Sequence, residues 1–237
     1  MRSARTAVMC TTLSLLLSLT AIATPLAAQA FYLTVPFGSQ RASVTQTIGL
    51  TDISVTYDRP GVGGRKIWDG LVPYDSVWRA GANVNTVIAF TSPVTIGGKQ
   101  LPAGRYGLFM IPTAQQWTVI LSREANAWGH FSYNEAEDVL RFTATPIEGA
   151  MTERLEYTFD EPATDAVTVT LRWEKLALPF LVSVNSTQVV MDSLAECYGT
   201  MGNKKLAIAN YQKALGMVGD PAQKRRIEGA IAELNKT

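Results

Sequence analysis

The sequence predicts a mainly β protein, an antiparallel β-sandwich or a barrel-like variant of one, followed by a small three-helix unit. From about residue 46 to 184, apolar and polar residues alternate in short runs separated by Gly, Pro, Asn and Asp, which is typical of antiparallel strands. After Asn185 the apolar period changes to three or four residues, which indicates amphipathic helices. Long helical runs do not alternate with strands, and this disfavours a parallel sheet.

The first thirty residues have the composition of a secretory signal peptide. Arg2 and Arg5 supply positive charge, CTTLSLLLSLTAIA is a short apolar run, and Ala28 and Ala30 have the spacing that a signal peptidase needs. We expect cleavage after Ala30, no membrane span afterwards, and a periplasmic or secreted protein. An uncleaved membrane anchor is the alternative.

Within the predicted β-sandwich region, residues 31–185, several short sequence runs predict strands. ISVTY alternates apolar and polar residues, and NTVIAF is rich in β-branched and aromatic residues. In PVTIGGKQLPAGRYGLFMIP, Gly97-Gly98 and Pro102-Ala103-Gly104 indicate turns between strands. The later strand runs are WTVIL, DVLRFTATPI, RLEYTF and AVTVTLRWEKLALPFLVSV.

Three helices are predicted within residues 186–237. Apolar residues recur at helical spacing from Met191 to Tyr198, from Ala207 to Val218 and from Ile227 to Leu234. Asp220-Pro221 is a typical start for the third helix.

The first two of these helices resemble one tetratricopeptide repeat, in the segment LAECYGTMGNKKLAIANYQKAL. The matching residues are Leu194, Ala195, Tyr198, Gly202, Ala207, Tyr211 and Ala214. Since a single repeat cannot bury its apolar faces alone, we expect the unit to pack on the β region, pair with another copy or hold a partner protein.

Charge and rare residue types narrow the function classes. The chain has 21 basic and 20 acidic residues and no basic tract, which argues against nucleic acid as a partner. Only Cys197 would remain after signal cleavage, so no internal disulfide is expected, and its helical pattern predicts a buried small apolar residue. With His130 as the single histidine, we expect no zinc site. SYNEAED offers oxygen ligands for calcium as an alternative, but it lacks an EF-hand pattern and a solvated acidic turn explains it better, so we expect no metal and no cofactor.

A long ordered set of motifs carries a family resemblance. YDRPGVGGRKIWDGLVPYDSVWRAGAN, LPAGRYGLFMIP, WTVIL and WGHFSYNEAEDVLR resemble the bacterial exported family known as domain of unknown function 2911. The resemblance runs from about Val44 to Ser183, and a C-terminal tetratricopeptide-like unit also suits some members. It implies an exported β protein and brings no catalytic residue, because the family's biochemical role is unassigned.

The first of these motifs, residues 57–83, is the candidate ligand-binding segment, because it predicts a long ordered loop leading into a strand. Guanidinium groups suit carboxylates and phosphates, and tryptophan faces suit a sugar or another flat ligand. The candidate ligand-binding residues are Arg59, Arg65, Trp68, Trp78, Arg79 and Asn83. The alternative is that the tryptophans are core residues and the arginines only pair with Asp58, Asp69 and Asp75.

No strong catalytic motif is present, so the catalytic residues are unknown. GVGGRK lacks the spacing of a phosphate-binding loop, and no G-x-S-x-G elbow occurs. Asp58 and Asp69 flank the aromatic loop and are the candidate pair for glycoside hydrolysis. In AWGHFSY we expect Trp128, Phe131 and Tyr133 to pack while His130 caps a turn.

The sequence therefore favours a non-catalytic binding or scaffold protein of the bacterial envelope, with a small polar or anionic ligand or a glycan. The first alternative is a glycan hydrolase that uses Asp58 and Asp69. The second is a protein-interaction role of residues 186–237.

Overall fold

The computed structural model describes residues 36–219 and 221–236; the predicted signal peptide, residues 1–30, and its cleavage point lie outside the described residues. The strands are β1 (Gln40–Ile48), β2 (Thr51–Arg59), β3 (Thr86–Phe90), β4 (Val94–Ile96), β5 (Lys99–Leu101), β6 (Gly104–Ile111), β7 (Trp117–Ser122), β8 (Asp138–Ala144), β9 (Ile147–Asp160) and β10 (Ala166–Val184). The helices are α1 (Ser186–Thr200), α2 (Lys204–Leu215) and α3 (Pro221–Lys236).

Six strands form one antiparallel sheet in the order β1-β2-β3-β6-β7-β8. A two-residue turn joins β1 to β2, and Gly49 takes the left-handed backbone conformation there, with φ 56°. By contrast, β2 and β3 pair directly although residues 60–85 separate them along the chain. We call this segment the β2–β3 loop. It is much longer than a hairpin turn needs to be, so it can reach parts of the protein beyond the ends of β2 and β3.

Four strands form a second antiparallel sheet in the order β5-β4-β10-β9. The long strand β10 shifts its register against β9 on both sides of Glu174, which has a φ of 58°. Such β-bulges bend a strand and re-aim the side chains beside them. The residue next to this bulge is Trp173.

Side chains from both sheets pack into one hydrophobic cluster, which includes Ile53 and Val55 of β2 and Val169 and Leu171 of β10. These four residues are completely buried. The predicted mainly β fold with two antiparallel sheets and three C-terminal helices is confirmed. The two sheets remain separate in their hydrogen bonding, so the barrel-like alternative is wrong.

The helices have a hydrophobic cluster of their own, and polar contacts connect them to the strands. Ala195, Tyr211 and Ile227 contribute one residue from each helix to that cluster. At the junction, Gln100 Nε2 of β5 donates to Gln188 Oε1 of α1 over 3.1 Å. The helical unit is thus built around a separate apolar centre.

The expectation that Cys197 is buried is wrong, because its side chain is exposed. Helix α1 buries the face that carries Ala195. Successive residues of an α-helix are rotated by about 100°, so Cys197 lies on nearly the opposite face. Within residues 36–219 and 221–236, no helix combines the length and apolar character that crossing a membrane requires.

Candidate functional site

The β2–β3 loop lines a cleft of about 600 Å³, to which β10 and the chain before β1 also contribute. Four of the six residues predicted from the sequence line this cleft: Arg65, Trp78, Arg79 and Asn83. Arg59 and Trp68 are not among its lining residues. The cleft is the candidate functional site because it collects most of the predicted residues in one place.

Backbone hydrogen bonds hold the start of the loop against the second sheet. Val62 N donates to Glu153 O at 2.8 Å, and Leu155 N donates to Pro60 O at 3.0 Å. Arg65 then folds back, with Nε donating to Val62 O at 3.0 Å and Nη2 to Gly61 O at 2.5 Å. Two hydrogen bonds to carbonyls thus occupy part of the Arg65 guanidinium.

The later part of the loop is held against the first sheet. Trp78 exchanges both backbone hydrogen bonds with Met110 of β6, at 2.7 and 2.8 Å. Thr86 N donates to Arg79 O at 3.2 Å, and the Thr86 hydroxyl donates to Ala80 O at 2.9 Å. The backbone on both sides of Arg79 is therefore anchored.

Arg79 is a charged residue of the cleft with an unmatched donor. Its Nε is buried and has no hydrogen-bond partner among the described residues. Burial lowers the pKa of Arg79 from its ordinary value, and the attraction of Asp58 opposes this shift. Asp58 is already engaged, because Arg41 donates to its two carboxylate oxygens at 3.2 and 3.4 Å.

Two tryptophans form an apolar wall of the cleft. The rings of Trp78 and Trp173 are stacked, with centroids 6.0 Å apart and an interplanar angle of 17°. Trp78 Nε1 donates to Gly81 O at 3.2 Å, whereas Trp173 Nε1 is buried without a partner among the described residues. Trp173 reaches this place from the other sheet, next to the bulge of β10.

The β7–β8 loop, residues 123–137, contributes His130 to the lining of the cleft. A Cβ atom on Gly129, which has a φ of 72°, would lie 3.0 Å from Nη1 of Arg79, so this backbone packs on the guanidinium. Burial lowers the pKa of His130 from its ordinary value, and the positive charge of Arg79 lowers it further. The charge of Arg79 therefore acts on the His130 imidazole.

The expectation that Trp128 and Phe131 pack into the protein is wrong. They are 56% and 79% exposed, on the loop between β7 and β8. The Phe131 ring stacks on His130 with a centroid distance of 4.9 Å, and the Trp128 ring lies 5.9 Å from that of Phe37. We call Phe37, Trp128 and Phe131 the aromatic rim.

Hydrogen bonds pin both ends of the β7–β8 loop. Asn85 Nδ2 donates to Glu124 O at 3.0 Å at its start. At its end, the Tyr133 hydroxyl donates to Asp138 Oδ2 at 2.6 Å, and Arg141 Nε donates to the same oxygen. Burial and the hydrogen bond to Asp138 raise the pKa of Tyr133 to about 12. The loop residues that face the cleft are thus held between two anchors.

Asn83 and Arg59 make structural contacts. Asn83 has a φ of 51°, and its Nδ2 donates to Ser39 O at 3.1 Å, which fastens the chain before β1 to the cleft. Arg59 bonds to β9, through Nε to Leu155 O at 2.9 Å and through Nη2 to Glu156 Oε2 at 3.1 Å. Arg59 thus connects the two sheets outside the cleft.

Trp68 packs behind the wall, with its ring 4.9 Å from that of Trp117 and 5.7 Å from that of Trp173. The proposed catalytic pair does not line the cleft either. Asp58 is buried against Arg41, and the exposed Asp69 pairs with Lys66 at 3.4 Å.

The cleft presents positive groups and hydrogen-bond donors. Among the described residues that line it, Arg65 and Arg79 carry charge, His130 is titratable, and none is Asp or Glu. The described residues contain no group of three or more His, Cys, Asp or Glu placed to hold a metal ion. Chemically, this arrangement suits the binding of an anion.

Trp173 and His130 line the cleft but lie outside the segment predicted from the sequence. For Trp173 the sequence contains a signal. In AVTVTLRWEKLALPFLVSV, apolar residues occupy odd positions up to Trp173 and even positions from Leu176 onward. This change of phase marks the bulge of β10 that brings Trp173 to the cleft. His130 lies far from residues 57–83 along the chain, and no local pattern indicates that it meets them.

The comparisons with known proteins give one match. The family model described as "Protein of unknown function (DUF2911)" matches residues 39–182, which include the described residues that line the cleft. No curated protein and no solved structure matches the chain.

Proposed function

The chain belongs to the family described as "Protein of unknown function (DUF2911)", and we propose that it is a non-catalytic binding protein whose cleft takes a ligand with an anionic group. Arg79 holds the anionic group, and the stacked pair of Trp78 and Trp173 forms an apolar wall beside it.

The buried, unpartnered Nε of Arg79 carries this proposal. A buried donor without an acceptor costs about 1–3 kcal/mol, and more when the group is charged. The nearby carboxylate of Asp58 is bonded to Arg41, and no lining residue is acidic. A ligand that brings a carboxylate or phosphate oxygen relieves this cost and gains a charge-assisted hydrogen bond.

Export is part of the proposal. The signal-peptide pattern of residues 1–30 supports a protein of the periplasm or the medium. We also infer that the two sheets, which share one apolar cluster, form a β-sandwich. The glycan hydrolase alternative has less support, because Asp58 is buried in an ion pair and Asp69 lies at the surface outside the cleft.

The test is thermal unfolding of the purified protein with a panel of organic acids, phosphates and neutral sugars. A ligand at a hundred times its dissociation constant raises the free energy of unfolding by about 2.7 kcal/mol. We expect an anion to do so in the parent and not in Arg79→Ala. Arg105→Ala is the matched control, because Arg105 is an exposed arginine of β6 outside the cleft. Equal stabilisation of the parent and Arg79→Ala contradicts the proposal.

A second candidate function is association through the tetratricopeptide-like helices. Val190 and Leu194 of α1 and Met201, which directly follows the helix, are 38%, 38% and 72% exposed; their spacing of four and seven residues is helical, so they form an exposed apolar stripe. Exposed apolar stripes mark association surfaces. Light scattering of the parent and of Met201→Glu tests pairing with a second copy: we expect a dimer in the parent and a monomer in the variant, and a monomeric parent contradicts self-association.

A further inference from the structure

We propose that the ligand is a carboxylic acid with a large apolar body, whose carboxylate binds at Arg79 and whose apolar part leaves the cleft over the aromatic rim. This inference rests on the proposed anion binding and adds the chemical class of the ligand. Its evidence is the continuity of the cleft with the rim, the chemistry of the lining groups and the charge available at Arg79.

The aromatic rim is an exposed apolar surface that begins where the cleft ends. Phe37, Trp128 and Phe131 are 59%, 56% and 79% exposed. Phe131 stacks on His130, which lines the cleft, and Phe37 precedes the lining residue Ser39 by two positions. The rim therefore borders the cleft, because Phe131 contacts one lining residue and Phe37 lies close to another along the chain.

Segments far apart in the sequence build this surface. Phe37 comes from the chain before β1, and Trp128 comes from the β7–β8 loop, yet their rings lie 5.9 Å apart at an angle of 51°. Single exposed apolar residues need no explanation, but a contiguous group beside a cleft marks a place where apolar ligand surface is buried. The rim thus adds an exposed apolar surface beside the cleft, next to the lining residue His130.

The cleft is larger than a carboxylate group alone requires. Its volume of about 600 Å³ falls in the range of pockets that hold drug-sized ligands. Apart from Arg79 and a few other polar residues, its lining includes Val72, Pro73 and Val77 besides the two tryptophans. A ligand that fills this space therefore needs an apolar body next to its anionic group.

The hydrogen-bonding groups favour an acid over a sugar or a peptide. Sugar hydroxyls and peptide N–H groups are donors that need acceptors in the site. The described lining residues include no carboxylate, while Arg79 Nε and Trp173 Nε1 are buried donors without partners. A carboxylate is acceptor-only, so its chemistry complements this site.

The charge at the site favours a carboxylate over a phosphate. Arg65 keeps its charge, but its Nε and Nη2 already donate to the carbonyls of Val62 and Gly61, so Arg79 is the described lining arginine whose buried donor is unmatched and would contact the anion directly. A phosphate monoester carries about −1.5 to −2 charges at pH 7, more than one guanidinium neutralises. A carboxylate carries a single negative charge, which matches Arg79.

The experiment is isothermal titration of the purified protein with acetate, hexanoate and decanoate, and with decanol, glucuronate and decyl phosphate at concentrations below micelle formation. We expect affinity to rise roughly threefold to fourfold for each added methylene, about a hundredfold between hexanoate and decanoate. Decanol and glucuronate bind far more weakly than decanoate. Arg79→Ala loses binding of both hexanoate and decanoate.

The rim is tested with the double variant Trp128→Ala, Phe131→Ala. We expect it to bind decanoate about tenfold more weakly and hexanoate as the parent does, since only the longer chain reaches the rim. Leu181→Ala, a truncation of an exposed leucine outside the cleft, is the control and changes neither affinity. Because the rim residues are exposed, these substitutions leave the fold intact.

Each outcome decides between the two proposals. Equal affinity for acetate, hexanoate and decanoate, or tighter binding of glucuronate or decyl phosphate, overturns the inference and leaves anion binding at Arg79 standing. Binding of none of the anions overturns both. A rim that serves a partner protein instead appears as unchanged decanoate binding by the rim variant, and this also overturns the inference.

Discussion

The hydroxyl of Tyr157 donates a hydrogen bond of 2.9 Å to the backbone carbonyl of Ala80, the residue that follows Arg79. Tyr157 is a buried residue of β9, and Ala80 has a φ of 53° in the β2–β3 loop. One side chain of the second sheet thus holds the loop in an uncommon backbone conformation next to the candidate anchor. Burial raises the pKa of Tyr157 well above its ordinary value, so the hydroxyl keeps its proton.

Replacing Tyr157 with phenylalanine removes this hydrogen bond and little else. We expect the free energy of unfolding to fall by about 1–2 kcal/mol, because a buried acceptor loses one of its two donors. We also expect weaker carboxylate binding, since Arg79 loses a constraint on its backbone. Urea unfolding and titration with decanoate measure the two effects. A variant as stable as the parent contradicts the assigned role of Tyr157.

We assign different roles to Arg59 and Arg79: Arg59 contributes to stability and Arg79 to ligand binding. Arg59 bonds to Leu155 and Glu156 across the two sheets, outside the cleft. We expect Arg59→Ala to lower the free energy of unfolding by about 1–2 kcal/mol, as for the loss of charged hydrogen bonds that are partly exposed. Its ligand affinity stays within about twofold of the parent, unlike that of Arg79→Ala. Loss of binding in Arg59→Ala places Arg59 in the site and contradicts this division.

His130 reports on Arg79 through its protonation. The folded protein holds the pKa of His130 below the ordinary value of 6.5, through burial and the charge of Arg79. The unfolded chain therefore binds more protons just below pH 6.5, and stability falls as the pH falls from 6.5 through the folded-state pKa. We expect Arg79→Ala to raise the pKa of His130.

The chain has one histidine, so proton NMR of protein freed of any histidine tag follows a single imidazole. A ligand carboxylate beside His130 raises its pKa as well, because the negative charge favours the imidazolium. The Arg79→Ala variant is the comparison for both effects. The same imidazole pKa in the parent and in Arg79→Ala shows that the two side chains do not interact.

Deleting residues 186–237 tests the independence of the helical unit. The helices pack around their own apolar cluster, and Gln188 contacts Gln100 of β5 through a neutral hydrogen bond. We expect the remaining β region to unfold cooperatively, with a loss of less than about 2 kcal/mol, because each neutral hydrogen bond contributes only about 0.5–1.5 kcal/mol. We also expect the truncated protein to bind the ligand as tightly as the parent does. Aggregation of the truncated protein indicates that the helices cover apolar surface of the sheets.

The strands could be predicted from the sequence because their signal is local. Alternation in ISVTY follows the burial of every second residue in β2, and the helical period after Asn185 follows the burial of Ala195, Ala207 and Tyr211. The cleft depends on which segments meet in space. Arg59 and Arg79 have similar sequence surroundings, yet Arg59 ends β2 facing β9 while Arg79 follows the Trp78 bridge to Met110.

The aromatic rim could not be predicted for a related reason. In AWGHFSY the aromatic composition favours packing, and alternation alone does not reveal that Trp128 and Phe131 are exposed on the β7–β8 loop. The hydrogen bond from Asn85 to Glu124, which holds the start of this loop, joins residues far apart in the sequence, so no local pattern indicates it. Sequence patterns therefore miss the residues that reach the site from distant segments of the chain.

The long connection between two neighbouring strands has a consequence for the rate at which the protein assembles. Residues 60–85 leave β2 and contact Glu153, Leu155 and Met110 before they return to β3. Such distant contacts form only after the entropy of closing the chain has been overcome, so the cleft is completed late in folding. A ligand that recognises the completed cleft therefore binds the native state better than the folding transition state. It prolongs the lifetime of the folded molecule by slowing unfolding and leaves the rate of folding unchanged.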